Sequence, residues 1–260
     1  VYELLADMGW SSDSIDLDDW MKIYCEARYG GYFDAMEEAW KLFRKTAYSS
    51  LYSYPRFTWQ TVVPDQRRIS KIDLSDDYLQ AIRLYASCAD ELKSSELYRN
   101  DLIEFVSYYV AAKAENFYKQ ALKDDSENRV LAAQRNLQQT VDLLMDVDRL
   151  LASHPLYRLE EWVELARNSG TTLQEKDAYE ANAKRLITSW GGIQEDYAAR
   201  FWSGLIKDYY IPRIQLYFTK DRNKIREWEE QWITSPWSNS TTPFDDPVEA
   251  ALSLIEKTNK

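Results

Sequence analysis

The chain has 260 residues, 32 Lys and Arg against 43 Asp and Glu, a formal net charge of −11 and a single histidine. This charge argues against nucleic acid or an anionic membrane as the main partner, because phosphates would be repelled. One histidine removes most imidazole-based catalysis and zinc sites built on paired histidines. Two cysteines, Cys25 and Cys88, cannot form a disulfide framework.

The composition favours long helices. Seven glycines and seven prolines are few for the turns of a β-sandwich or β-barrel. No apolar run approaches the ~20 residues that span a bilayer, which predicts a soluble chain. The first residues, VYELLADMGW, read as the end of a helix, and the chain starts without Met or a signal peptide. We therefore expect a segment of a longer protein.

The first third of the chain predicts two helices and a long loop. Asp18 or its neighbour is expected to cap a helix over about 20–29, which Gly30 and Gly31 would stop. Apolar residues at helical spacing predict the next helix over about 33–50. These residues are Met36, Ala39, Trp40, Phe43 and Ala47.

The longest irregular stretch is Leu51–Ile72, which contains two prolines and the basic pair Arg67 and Arg68. Loops of this length are uncommon in compact domains and are often functional, so a ligand or domain contact is first expected here. Its aromatics are open to either a core or a ligand role. They are Tyr52, Tyr54, Phe57 and Trp59.

Helical periodicity resumes near Ser75 and continues through two long runs, over about 95–123 and 126–153. The short connection between the two runs predicts an antiparallel pair. The second run carries an apolar seam with a spacing of seven residues, interpreted as a bundle core. Its members are Val130, Leu137, Leu144 and Leu151.

The last third predicts further helices. His154-Pro155 ends the long pair, and a shorter helix over about 159–168 stops at Gly170. Thr172 and Glu175 have capping-box spacing and open a helix expected to end at Trp190-Gly191-Gly192.

Another helix is expected from near Glu195 until Pro212 kinks or breaks it. After an irregular stretch over 237–242, Asp246 as N-cap and Pro247 at the first position start a terminal helix. The sequence thus predicts an all-α, bundle-like single domain over 1–260, with one long irregular loop at about 51–72 and no sheet of consequence.

Most of the residues that could act in catalysis are better explained by a surface or capping role. Carboxylate pairs such as Glu160-Glu161, Glu195-Asp196 and Glu229-Glu230 are interpreted as solvated surface, and none stands out as an acid/base couple. His154 is interpreted as a surface or C-capping residue. No catalytic residue, metal ligand or cofactor is assigned.

Trp190 is the aromatic that departs from the core pattern. Two glycines follow it, and Tyr197 comes seven residues later. Together they would set an indole and a phenol at one corner between helices. Such groups suit stacking on a sugar ring, while a packed corner is the alternative.

At this corner the chain resembles a known family. The segment NAKRLITSWGGIQEDYAARFWSGLIKDYYIPRIQLYF, Asn182–Phe218, is similar to the C-terminal helical domain of the α-N-acetylglucosaminidases, glycoside hydrolase family 89. Three further stretches resemble the same domain in the same order. They are VYELLADMGW leading to DLDDWMKIYCEARYGG (Val1–Trp10, Asp16–Gly31), AWKLFRKTAYS (Ala39–Ser49) and YRNDLIEFV (Tyr98–Val106).

The resemblance implies that the catalytic residues lie in a different domain from the helical one. Family members remove terminal α-linked N-acetylglucosamine with retention of configuration, using two carboxylates in an upstream (β/α)₈ barrel. The barrel is the expected partner of this domain, with residues 1–9 as the helix that adjoins it. Carried over by motif, Trp190 and Tyr197 would face the sugar, and Ile193 would be an aliphatic pocket residue.

Two departures from the family pattern are visible. The spacing between Trp190 and Tyr197 is a couple of residues shorter than in some members. The 51–72 loop lacks the pocket histidine that some relatives carry.

Two hypotheses follow. In the first, the chain helps to close the sugar pocket of a parent glycosidase and is inactive alone, with an extracytoplasmic location implied by the family. In the second, it is a non-catalytic helical module that binds a protein or a glycan.

Overall fold

A computed structural model describes residues 1–49, 57–61, 75–190, 196, 198–238 and 240–258. These residues form twelve α-helices, a 3-10 turn at Thr58–Gln60 and a π-helical turn at Ile206–Tyr210. Their β-type pairing is one isolated bridge between Arg158 and Ser203. The prediction of an all-α fold is confirmed. None of the described helices combines the length and the apolar character needed to cross a bilayer.

The chain divides into two compact units, Val1–Ser50 with Ser75–Leu102, and Leu51–Leu74 with Ile103–Lys260. The first unit holds five helices and the start of a sixth: α1 (Tyr2–Trp10), α2 (Leu17–Tyr29), α3 (Asp34–Lys45), α4 (Asp76–Ala86), α5 (Ala89–Leu92) and α6 (Glu96–Ser126). The second unit holds the rest of α6 and six more: α7 (Val130–Leu151), α8 (Leu159–Asn168), α9 (Leu173–Leu186), α10 (Ile211–Tyr217), α11 (Arg222–Thr234) and α12 (Pro247–Lys257). The single domain expected over 1–260 stays a prediction.

Helix caps in the first unit lie close to the predicted positions. Asp16, rather than Asp18, caps α2, and its carboxylate accepts the amides of residues 18 and 19 at 2.9 and 3.1 Å. Gly30 ends the helix with a φ of 84°. The α3 helix ends at Lys45, not near 50, because Thr46 leaves the helical conformation with φ −113° and ψ −87°.

The core of the first unit is aromatic. Tyr85 and Tyr98 stack with ring centroids 4.8 Å apart, and Tyr29 meets both rings edge-on. The Tyr29 hydroxyl donates to Asp101 at 2.6 Å, and Arg28 donates two hydrogen bonds of 2.7 Å to the same carboxylate. This bidentate hydrogen bonding raises the pKa of Arg28, so the guanidinium keeps its charge beside the aromatic core.

In the second unit, α6 and α7 pack antiparallel as predicted. The Asn136 amide donates to Asp124 at 2.8 Å, and the Thr140 hydroxyl lies 3.5 Å from the Ala114 carbonyl. Residues later in α7 therefore contact residues earlier in α6, which makes the two helices antiparallel. The predicted seam is only partly buried, however. Its last two leucines are fully buried, whereas Val130 is 57% exposed at the start of α7.

Several C-terminal predictions are confirmed and two are wrong. Helix α8, the Thr172–Glu175 capping box and the Asp246 cap all lie where they were expected. However, α9 ends at Leu186, short of Trp190. Residues 198–203 are not helical, so the helix expected from near Glu195 is wrong. Sequence periodicity also missed α11 altogether.

A buried carboxylate explains why helix begins late in this region. Asp148 on α7 accepts the backbone amides of Gly204 and Lys207 at 2.8 and 3.0 Å, which satisfies donors at the start of the helical turn. It also accepts the Thr241 hydroxyl at 2.6 Å. Burial raises the pKa of Asp148. The helical backbone continues from Leu205 through the π-helical turn into α10, so Pro212 does not break the helix.

The capping box predicts a pH effect. The Glu175 carboxylate accepts the Thr171 hydroxyl at 2.6 Å and two backbone amides, and these bonds lower its pKa to about 2. A lowered folded-state pKa stabilises the fold above the unfolded pKa, and this contribution disappears as the pH falls toward the folded value. The free energy of unfolding of wild type should therefore exceed that of Glu175→Gln at about pH 5, by a margin that shrinks toward about pH 3.

Urea titrations at several pH values measure this margin. Glu164→Gln removes an exposed α8 carboxylate that caps no helix, and it controls for the loss of one negative charge. A margin that stays constant over the same pH range would contradict the assigned role of Glu175.

Candidate functional site

Trp190 stands just beyond α9 in a strained conformation. Its amide donates to the Arg185 carbonyl at 2.8 Å, five residues back, and its φ is 51°. A left-handed bulky residue costs about 1–3 kcal/mol and persists only where its surroundings hold it. The side chain keeps 37% of its surface exposed. An exposed indole on a restrained turn is able to contact a ligand.

Asp196, six residues after Trp190 in the sequence, is tied back to the end of α9. Its amide donates to the Thr188 carbonyl at 2.9 Å, and its own φ is 60°. The carboxylate is buried and accepts Nη1 of Arg213 at 2.8 Å. Residues 188 and 196 are therefore joined by a backbone bond, and the second of them is tied to a buried cation.

Arg213 is the centre of a buried charge cluster. Besides Asp196, Nη1 donates to Glu229 at 3.0 Å and to the Tyr209 hydroxyl at 3.1 Å, and Nη2 donates to the Gln60 carbonyl at 2.8 Å. The Tyr209 hydroxyl in turn donates to Glu229 at 2.7 Å. Burial acts to lower the pKa of Arg213, but the carboxylates of Asp196 and Glu229 hold it well above its usual value. The guanidinium is thus a permanent cation in the core.

The described part of the 51–72 loop belongs to the core. Phe57 and Trp59 are fully buried and stack with centroids 4.9 Å apart, so of their two open roles the structure supports packing. The Thr58 amide donates to Glu115 on α6 at 2.8 Å, and burial raises the pKa of this carboxyl. Tyr52 and Tyr54 lie outside the described residues.

The predicted site residues are only partly described. Trp190 is partly exposed just beyond the end of α9, whereas Ile193 and Tyr197 lie outside the described residues. The sugar-facing roles of all three stay predictions.

Two carboxylates were misread as solvated. Asp196 and Glu229 are both buried against Arg213. A sequence signal was available for Glu229, since it lies on α11 exactly four residues from each of two buried isoleucines, Ile225 and Ile233. Asp196 carries no such signal, because it lies in a turn.

His154 follows α7, but its ring nitrogen accepts an amide and does not donate to the last carbonyls of the helix, as a C-cap would. It is 4% exposed, so the surface interpretation is wrong. Its Nδ1 accepts the Leu156 amide at 3.1 Å, which caps the turn that follows α7. Across the part of the chain that the structure describes, no group of three or more His, Cys, Asp or Glu is arranged to hold a metal ion.

Known structures share this fold. Two structures of a family 89 glycoside hydrolase from Clostridium perfringens, in complex with 2-acetamido-1,2-dideoxynojirmycin and with PUGNAc, match 98% of the chain with TM-scores of 0.85 and 0.84. Sequence identity is 23% and 24%, and the match covers 33% of each hydrolase chain. The fold is therefore that of a part of a family 89 glycoside hydrolase.

Sequence comparison identifies the family. A family model described as the alpha-N-acetylglucosaminidase (NAGLU) C-terminal domain matches residues 20–257. This chain belongs to that family. Human alpha-N-acetylglucosaminidase is 28% identical over 289 residues, an alignment that covers 99% of this chain and 38% of the human protein. The chain thus spans well under half the length of the relatives that it matches.

Two arginine substitutions test how much the cluster contributes. Arg213→Met leaves Asp196 and Glu229 without their buried cation and should lower the free energy of unfolding by about 3–5 kcal/mol. Arg185→Met breaks an exposed pair with Glu230, the α11 neighbour of Glu229, and should cost less than about 1 kcal/mol. Urea unfolding followed by far-UV circular dichroism measures both values. Equal losses would show that the buried cluster is no stronger than a surface pair.

Proposed function

We propose that this chain is the helical part of an α-N-acetylglucosaminidase and that the Trp190 corner forms one wall of its sugar pocket. In this proposal the parent enzyme releases terminal α-linked N-acetylglucosamine with retention, and its two catalytic carboxylates lie in a barrel outside this chain. The observation that carries the proposal is the exposed indole of Trp190, held in a left-handed backbone conformation just beyond α9.

The corner would act by positioning and by excluding water. An indole presents a flat apolar face that stacks on a sugar ring, and Tyr197, which directly follows Asp196, would add a phenol beside it. Ile193 would contribute an apolar contact between them. These groups make or break no bond. They hold the sugar against the carboxylates and keep water from its reactive face, which lowers the barrier through orientation.

The exposed face of α1 supports a neighbouring domain as the partner. No residue of α1 is buried, and its large apolar side chains lie open to solvent. They are Tyr2 (87% exposed), Leu5 (62%), Met8 (59%) and Trp10 (93%). Tyr2, Leu5 and Met8 lie within about 120° of one another on the helix and form one face, and exposed apolar surface of this kind marks an interaction site. We propose that this face packs on the catalytic barrel, and that the parent enzyme has an extracytoplasmic location like that implied by the family resemblance.

Replacing the indole tests the proposed wall. In the full-length enzyme, Trp190→Ala should lower kcat/KM on an aryl α-N-acetylglucosaminide by about 10- to 100-fold, or about 1.4–2.7 kcal/mol of transition-state binding, while the fold remains intact. Trp190→Phe keeps an aromatic face and should lose less. Tyr179→Ala removes an exposed aromatic of α9 and serves as the control. Unchanged kinetics for Trp190→Ala would overturn the assignment.

The isolated 260-residue chain provides a second test. Because the proposal puts both carboxylates elsewhere, the purified chain should show no hydrolysis above the uncatalysed rate in the same assay. Robust turnover by the chain alone would show that it contains its own catalytic residues.

A further inference from the structure

Helix α1 is held only weakly within its own unit. None of its nine residues is buried. Among the described residues, a single side-chain hydrogen bond ties it to the rest of the first unit, from the Trp20 indole on α2 to the Asp7 carboxylate at 2.7 Å. The Trp20 ring in turn stacks on Tyr24, with centroids 5.1 Å apart. The bond to Asp7 is exposed, so water competes for both of its partners.

The sequence of α1 does not stabilise the helix by itself. Isolated helices shorter than about 12–15 residues are marginal in water even with favourable sequences, and α1 has nine residues. Val1 at the N-cap offers no side-chain hydrogen bond, and the last turn has no basic residue to interact with the helix dipole. Gly9 inside the helix lowers its propensity further. The helix therefore needs a stabilising contact beyond those of the first unit.

The apolar face of α1 points away from α2. At about 100° per residue, Tyr2, Leu5 and Met8 lie roughly 100–160° around the helix from Asp7, the residue that contacts α2. Their side chains are 87%, 62% and 59% exposed. The first unit therefore contacts the polar side of α1, and the apolar side is open to a partner.

The partner that fits this face is the remainder of the parent enzyme. The relatives are more than twice as long as this chain, and the matching family model describes a C-terminal domain, so such an enzyme has another large part to offer. Aromatic side chains and Met are enriched where protein surfaces meet. An anionic membrane is a poor alternative, because α1 contains two carboxylates and no Lys or Arg.

We infer that α1 folds as part of the domain interface: it is helical when its apolar face packs on the rest of the enzyme, and it unfolds when that contact is lost. This inference rests on the part of the proposed function that puts another domain beside α1. The bond between Asp7 and Trp20 orients the helix on the first unit, while the partner supplies most of its stability. The apolar contacts therefore compensate for the entropy lost when the segment becomes ordered.

Hydrogen exchange in the full-length enzyme tests this inference with substitutions that keep helix propensity. Leu, Met, Glu and Gln have similar propensities, so Leu5→Gln combined with Met8→Gln removes apolar contacts without weakening the helix itself. The amides of residues 5–11, whose first and last members donate to the carbonyls of residues 1 and 7, should exchange slowly in wild type. In the double variant they should exchange at least about 100-fold faster, while the α2 amides stay unchanged.

Two single substitutions serve as controls. Glu3→Gln introduces the same side chain on the opposite side of α1 from Leu5, and it should leave the exchange of α1 within about 5-fold of wild type. Trp20→Phe removes the hydrogen bond to Asp7. It should accelerate the exchange of α1 by a smaller factor than the double variant, because the partner rather than α2 supplies most of the stability.

Three results would overturn the inference. Slow exchange in the double variant, or a larger effect of Trp20→Phe, would show that the first unit stabilises α1 without the partner. Fast exchange in wild type would show that the partner does not stabilise it. Protection of α1 that rises with protein concentration would assign the apolar face to a second copy of the chain.

Activity separates this inference from the sugar-pocket proposal. If Trp190→Ala leaves kcat/KM unchanged while the double variant unfolds α1, the pocket proposal fails and the interface helix stands. If Trp190→Ala lowers kcat/KM while the double variant keeps α1 protected, the pocket proposal stands and the interface helix fails.

Discussion

The second unit depends on one buried cation. A guanidinium removed from water loses several kcal/mol of hydration, and only well-placed acceptors compensate for that loss. Arg213 finds its acceptors in two carboxylates, a phenol and a backbone carbonyl, which come from positions as far apart in sequence as Gln60 and Glu229. Since each acceptor must be present for the charge to be tolerated, the cluster forces these stretches to assemble together.

A second buried charge performs the same task at the other end of the π-helical turn. Asp148 gathers two amides and two hydroxyls from Ser203, Gly204, Lys207 and Thr241. These residues lie in or beside non-helical chain, where backbone groups have no partners within a helix. Hydrophobic packing alone does not select one arrangement of such segments. A buried carboxylate does, because any other arrangement leaves its oxygens without hydrogen-bond donors.

These buried groups explain which features of the fold could be predicted from the sequence and which could not. Caps and turns were accessible because their signals are local: Asp246 with Pro247, and Thr172 with Glu175, carry the whole motif within four residues. The buried cluster was not accessible, since Gln60 and Arg213 are 153 residues apart and an acidic residue in isolation looks solvated. The same limit led to the false helix before Gly204, whose start is set by Asp148 from α7 rather than by neighbouring residues.

The candidate site shows the same contrast between local sequence signals and contacts over long sequence distances. Trp190 was found from its two following glycines and from a motif shared with a family, both of which are properties of a short stretch of chain. The burial of Asp196 was missed, because this residue lies in a turn and its partner, Arg213, is distant in the sequence. A candidate site residue could therefore be found from the sequence, while the buried ion pair between Asp196 and Arg213 could not.

The π-helical turn at Ile206–Tyr210 also constrains the length of the chain. It lies between two fixed points, the Asp148 contact at Gly204 and the charge cluster at Arg213. Each residue of a helix turns the following side chains by about 100°. Deleting or inserting a single residue between these points would rotate Arg213 away from its carboxylates even if no side chain were changed. Insertions and deletions among related sequences should therefore be rare between 204 and 213, where spacing matters as much as residue identity.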